Sequence, residues 1–292
     1  MRRRHSLPAV FLLLAVAISA RSLLAQQPGG REIKDARVLR DQGLEDYNAG
    51  RFEDALAKFK RAVLLKPDYA EAHNDLGMTY AALDRGEEAV ESLGRAVRLN
   101  PALPEAYYNL GTVYYKLGRL GEAVTPLERA TGLKKDYGLA HNNLGVIYLE
   151  LGRFQEAINS FKLAIRSKPG WAEAHCLLAR ALYEAGQRED AVEALKQAVA
   201  LRPDDAEAQN SLGVAFYGLK RYREAAAAFN EAVRLKPGYS VAHYNLGVMS
   251  LIEHSREAAL ACYKTLKALD AELAGKLYHG IYQGMLLDVS DK

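Results

Sequence analysis

The stretch HNNLGVIYLELGRFQEAINSFKLAIRSKP, from His141 to Pro169, carries leucine, glycine, tyrosine, alanine, phenylalanine, alanine and proline at fixed offsets. Its apolar residues recur at helical spacing in two separate runs. Leu144, Tyr148 and Leu151 mark one face, and Phe154, Ile158, Phe161 and Ile165 mark a second. Gly152 stands between the runs, where a residue in the left-handed region ends a helix cheaply. Pro169 closes the second run, because proline has no N–H to continue a helix. The stretch reads as helix, tight turn, helix, stop.

The same phrase recurs every 34 residues in both directions. Gly43, Gly77, Gly111, Gly145, Ala179, Gly213 and Gly247 keep the step, as do Ala55, Ala89, Ala123, Ala157, Ala191, Ala225 and Ala259. Prolines close five repeats, at Pro67, Pro101, Pro169, Pro203 and Pro237. Seven tandem repeats follow, at 36–69, 70–103, 104–137, 138–171, 172–205, 206–239 and 240–273. Small residues at the step positions let two helix backbones approach, where a larger side chain would overpack the contact. A single hairpin cannot bury both of its apolar faces, so the predicted fold is an all-α solenoid held together by stacking. Residues 274–292, with Leu277, Ile281 and Met285 four apart, read as a capping helix and tail. Pro126, inside the second helix of the third repeat, predicts a kink there.

The first 30 residues do not repeat. Arg2, Arg3 and Arg4 precede an apolar run from Leu7 to Ala20, followed by small residues and the polar Gln26–Gly30. Residues 1–25 read as a secretory signal peptide with a cut at Ala20 or Ala25, or alternatively as an uncleaved membrane anchor over residues 7–24. Residues 26–35 read as a linker. The expected location is exported, periplasmic or secreted. Removing residues 1–25, which carry four arginines and no acid, moves the formal charge from +3 to −1. The basic balance therefore belongs to the leader and does not point to nucleic acid.

The pattern resembles the tetratricopeptide repeat (TPR) family over about four-fifths of the chain, with "NLGVIYLELGRFQEAINSFKLAI" matching nearly throughout. Histidine replaces the family's first aromatic at His73, His141, His175 and His243. The resemblance implies a right-handed superhelix whose first helices line a concave, ligand-binding face. Carried over residue by residue, it implies a peptide-binding surface at Tyr108, Asn109, Tyr115, Asn142, Asn143, Tyr183, Asn210, Tyr217, Tyr244 and Asn245. Of these, Asn109, Asn143 and Asn245 occupy the family's backbone-gripping sixth position, from which Asp41, Asp75, Leu177 and Ser211 depart.

No motif for catalysis or a cofactor appears. There is no phosphate loop, nucleophile elbow or His-Glu-x-x-His. The four histidines share one repeat position and are explained by packing rather than metal, since equivalent positions lie ~8–10 Å apart. Cys176 and Cys262 fall in different repeats and read as free thiols. The expectation is a protein-interaction scaffold without an enzymatic activity, cofactor, nucleic acid or small-molecule substrate, which binds a protein or peptide partner. The alternative is a membrane-anchored or self-associating envelope assembly factor.

Overall fold

The computed structural model describes residues 30–289, with side chains from Lys34 to Tyr282. The leader, both candidate cut sites and the Met285 side chain lie outside the described residues. All regular structure among them is helical, and it falls into two compact units that divide after Leu133.

The first unit contains α1 (Gly30–Asn48), α2 (Phe52–Leu65), α3 (Ala70–Ala82), α4 (Gly86–Leu99), α5 (Pro104–Lys116) and α6 (Leu120–Leu133). The second contains α7 (Gly138–Glu150), α8 (Phe154–Ser167), α9 (Ala172–Glu184), α10 (Arg188–Leu201), α11 (Ala206–Gly218), α12 (Tyr222–Leu235), α13 (Ser240–Ile252), α14 (Arg256–Leu269) and α15 (Ala271–Val289). Within each unit successive helices pair as hairpins, and each hairpin stacks on the next.

The packing reason for the 34-residue glycines is direct. A methyl group built on Gly145 would lie 2.7 Å from the ring of Phe161, and one on Gly213 would lie 2.5 Å from the ring of Phe229. Phe161 is completely buried and Phe229 nearly so. Each ring thus packs against the bare backbone of the first helix. Repeat five instead combines Ala179 with the smaller Leu195.

One residue in every turn adopts a positive φ. It is Gly50, Gly118, Gly152 and Gly186 in four repeats, with φ from 72° to 79°. In the others it is Asp84 (56°), Lys220 (59°) and His254 (56°). The next N–H then reaches back across the helix end, as from Arg153 to the Tyr148 carbonyl at 2.8 Å. The same arginine covers the aromatic ring: Arg85 over Tyr80, Arg119 over Tyr114, Arg153 over Tyr148 and Arg221 over Phe216, at 4.4–4.7 Å. It also pairs with the glutamate three residues on, at Glu88, Glu122, Glu156 and Glu224. The recurring glutamates are therefore turn partners as well as favourable charges at a helix N-terminus. A left-handed conformation costs a residue with a Cβ ~1–2 kcal/mol. Lys220→Gly and His254→Gly should each raise stability by about 1 kcal/mol, measured as an increase in the urea midpoint. An unchanged or lower midpoint would contradict this.

The histidines fasten the joints between repeats. The Nε2 of His73, His141, His175 and His243 lies 2.8–3.2 Å from the carbonyl oxygen six residues earlier, at Pro67, Lys135, Pro169 and Pro237. The ring N–H donates and the carbonyl accepts. Burial is the main influence on His73 and His141 and holds both imidazoles below the ordinary histidine range. In the unfolded chain these rings take protons more readily. Their contribution is therefore complete above about pH 6.5 and is lost as pH falls through the folded-state pKa. Thermal unfolding should move to lower temperature between pH 7.5 and 5.5, and a His73→Gln/His141→Gln variant should show a flatter dependence. Equal slopes would remove these rings as the cause.

Three expectations need correction or qualification. Residues 30–35 are helical rather than a linker, because Arg31–Lys34 contain no helix breaker after Pro28. The capping helix begins at Ala271 rather than 274. Asp270 Oδ1 accepts from the N–H groups of Glu272 and Leu273 at 3.0 Å and starts the helix there. Pro126 is buried inside α6, which runs from Leu120 to Leu133 without a break. In repeat seven, Leu266 stands where the others have alanine. It packs with Leu277 and Ile281 of α15, so the larger side chain fills the contact with the cap.

Candidate functional site

First helices place the same sequence positions on the same face, so repeat register determines which side chains meet. In the second unit α9, α11 and α13 form one such face. A cavity of about 370 Å³ lies there, lined by Tyr183, Val214, Tyr217, Phe229, Tyr244, Asn245, Val248 and Met249. A larger cavity of about 810 Å³ shares Tyr183 and Val214 with it and extends along α9 and α11 to Glu173, Cys176, Arg202 and Asp205. Tyr217 is 43% exposed, and Val214 and Val241 are also open to solvent.

Four predicted residues, Tyr183, Tyr217, Tyr244 and Asn245, are thus brought together. Tyr183 is partly committed to packing: its hydroxyl would lie 3.0 Å from a methyl group on Gly218, and the Arg188 guanidinium lies 5.7 Å from its ring centre. Tyr217 packs at a tilt against Tyr222, with centroids 6.0 Å apart. Asn210 is buried, and its Oδ1 accepts from Asn245 Nδ2 at 2.9 Å. Asn142 and Asn143 stand half-buried on α7 and do not line this groove. In the first unit Tyr108, Asn109 and Tyr115 stand half-buried on α5, where Asn109 Nδ2 donates to Asn74 Oδ1 at 2.9 Å.

These amide pairs were not foreseen. Each joins the fifth position of one repeat to the sixth of the next, and Arg40 pairs with Asp75 in the same register at 2.5 Å. One donor on Asn109 and one on Asn245 are therefore committed within the array. The register also explains an unpaired atom. Asn142 would be matched by residue 177, which is leucine, and its buried Oδ1 finds no partner among the described residues.

The larger cavity was also missed. Asp205 caps α11 by accepting from the N–H groups of Glu207 and Ala208 at 3.0 and 2.9 Å, and Arg202 pairs with it at 3.2 Å. Burial, followed by the field of Asp205, pushes the Cys176 thiol up to about 11 despite the opposing Arg202. Burial likewise raises Cys262. Both cysteines are free and remain protonated at neutral pH, where a thiol is a poor nucleophile. The available signal was Asp205 itself, which stands where four other repeats end in Tyr69, Tyr137, Trp171 and Tyr239. What the groove offers is non-covalent: aromatic area, carboxylates and amide acceptors.

The architecture is that of a helical-hairpin repeat protein. Profiles of the tetratricopeptide repeat match residues 43–84, 80–118, 108–170 and 176–240. The chain belongs to the tetratricopeptide repeat family, whose fold supports a protein–protein interaction scaffold. No curated protein matches it. Among solved structures it is similar to MamA, with 30% identity over 56% of this chain and 96% of that one, and a TM-score of 0.53. YrrB, described as a TPR protein with an unusual peptide-binding site, shares 24% identity over 63% of this chain and 96% of its own, with a TM-score of 0.55. PilF of Pseudomonas aeruginosa reaches a TM-score of 0.61 at 19% identity, covering 72% and 96% of the two chains. These last two likenesses concern the fold alone. No described helix is long and apolar enough to cross a membrane.

Proposed function

We propose that the chain is an exported scaffold that binds a polypeptide segment of a partner along the face of α9, α11 and α13. The observation that carries this reading is the continuity of two cavities through Tyr183 and Val214, with solvent-open Tyr217 beside them. Tyrosine supplies a large contact area with a polar tip, and such rings are enriched where proteins bind. Family membership supports the binding role. Export is supported by the basic head, short apolar run and small residues of 1–25.

The test is a photo-crosslinking residue placed at Tyr217, with one at the solvent-exposed Leu64 of α2 as the control. Adducts with a second polypeptide at Tyr217 and few at Leu64 support the reading. Equal yields at both positions would move the site elsewhere. The intact mass of the extracted protein tests export, because cleavage removes the first 20–25 residues.

A further inference from the structure

The joint between repeats five and six departs from its counterparts at three positions that surround one space. At four of the other five joints a lysine lies over the closing ring: Lys66 over Tyr69, Lys134 over Tyr137, Lys168 over Trp171 and Lys236 over Tyr239, at 4.6–5.7 Å, while the joint after repeat two has Asn100 and Leu103 instead. Here Asp205 replaces the ring. Cys176 and Ser211 replace the paired side chains seen at Arg40–Asp75 and Asn210–Asn245, and the Ser211 hydroxyl donates instead to its own helix, to the Glu207 carbonyl at 2.8 Å. The cavity of about 810 Å³ lies where these groups are missing.

The first joint shows what such a slot can hold. There the Arg40 guanidinium lies 5.8 Å from the Tyr69 ring centre and pairs with Asp75. At joint five the equivalent arginine is Cys176, while carboxylates from Glu173, Glu184, Asp205 and Glu207 outnumber Arg180 and Arg202. Arg202 is already paired with Asp205, and Glu207 reaches Lys236 at 3.4 Å. The opposite charge of Glu173 and Glu184, which no lysine or arginine of the cavity neutralises in full, favours a cation in such a place.

We propose that this cavity receives a lysine or arginine side chain of the bound polypeptide, while an apolar or aromatic residue of the same segment fills the Tyr183–Tyr217–Tyr244 pocket. This rests on the polypeptide-binding reading above. Packed helices are ~8–10 Å apart and an extended chain advances ~3.3–3.6 Å per residue, so the two anchors are two to three residues apart.

The test uses the full chain and fluorescein-labelled glycine-serine decapeptides carrying one lysine and one tyrosine at separations of one to five. Fluorescence anisotropy should show tightest binding at two to three, weakened tenfold or more when the lysine is acetylated. Glu173→Gln with Glu184→Gln should weaken the lysine peptide and leave its acetylated form unchanged. Asp205→Tyr, which restores the residue found at other joints, should do the same by filling the space. Bound lysine peptide should also slow N-ethylmaleimide labelling of Cys176 but not of Cys262. Binding that ignores lysine acetylation and leaves Cys176 unprotected would overturn the inference while leaving polypeptide binding intact. Absence of binding by every peptide would also overturn it, and the Tyr217 crosslinks would then decide separately whether partner binding survives.

Discussion

Phe161→Ala is expected to destabilise the second unit by about 3–5 kcal/mol, the usual cost of removing a large ring from a packed interior. Phe161 has no exposed surface, and Gly145 contributes no side chain to refill the space. The converse change, Gly145→Ala, forces a methyl to within 2.7 Å of the ring and should cost ~1–3 kcal/mol. Repeat five combines Ala179 with Leu195, so Phe161→Leu should recover part of the loss in the Gly145→Ala background. Urea denaturation followed by helix ellipticity measures all three. If the two changes simply add, close contact between these residues is not what couples them.

Tyr217→Ala and Tyr244→Ala are each expected to weaken partner binding by about 2 kcal/mol, close to thirtyfold, since few anchors carry most of an interface. Both rings line the smaller cavity, and neither belongs to the completely buried core. Helix content should therefore be retained. Tyr115→Ala, on α5 of the first unit, is the comparison: an equal loss there would spread the site beyond the α9–α11–α13 face. Unchanged affinity in the Tyr217 and Tyr244 variants, with the fold intact, would remove this groove from partner binding.

The hairpin was legible because a close backbone approach leaves few residues to choose from. Gly145 and Ala157 recur wherever that approach recurs, and glycine marks most of the turns. Asp84, Lys220 and His254 adopt the same backbone conformation without a glycine to announce it. The outer helix starts at Gly30 and Ala271 escaped the repeat register because local helix formers and the Asp270 cap set them. For the groove, the family resemblance put Tyr183, Tyr217 and Tyr244 on one face. It could not show that Asn109 and Asn245 spend a donor on Asn74 and Asn210, because that contact joins residues 35 positions apart. The acid-lined cavity was hidden for a different reason: it arises from the ring that Asp205 lacks.

The contacts at this 35-residue interval also give the array a serial order. Arg40 accepts only a neighbour that presents a carboxylate, as Asp75 does, while Asn74 and Asn210 are matched by amides at Asn109 and Asn245. Excising the second repeat would set Arg40 opposite Asn109 and leave a half-buried guanidinium without its counter-ion. The hairpins look interchangeable by length and outline, yet those that hold Arg40, Asn74 and Asn210 carry a record of which neighbour comes next. An array of like hairpins is, at these joints, one whose parts cannot be shuffled without loss.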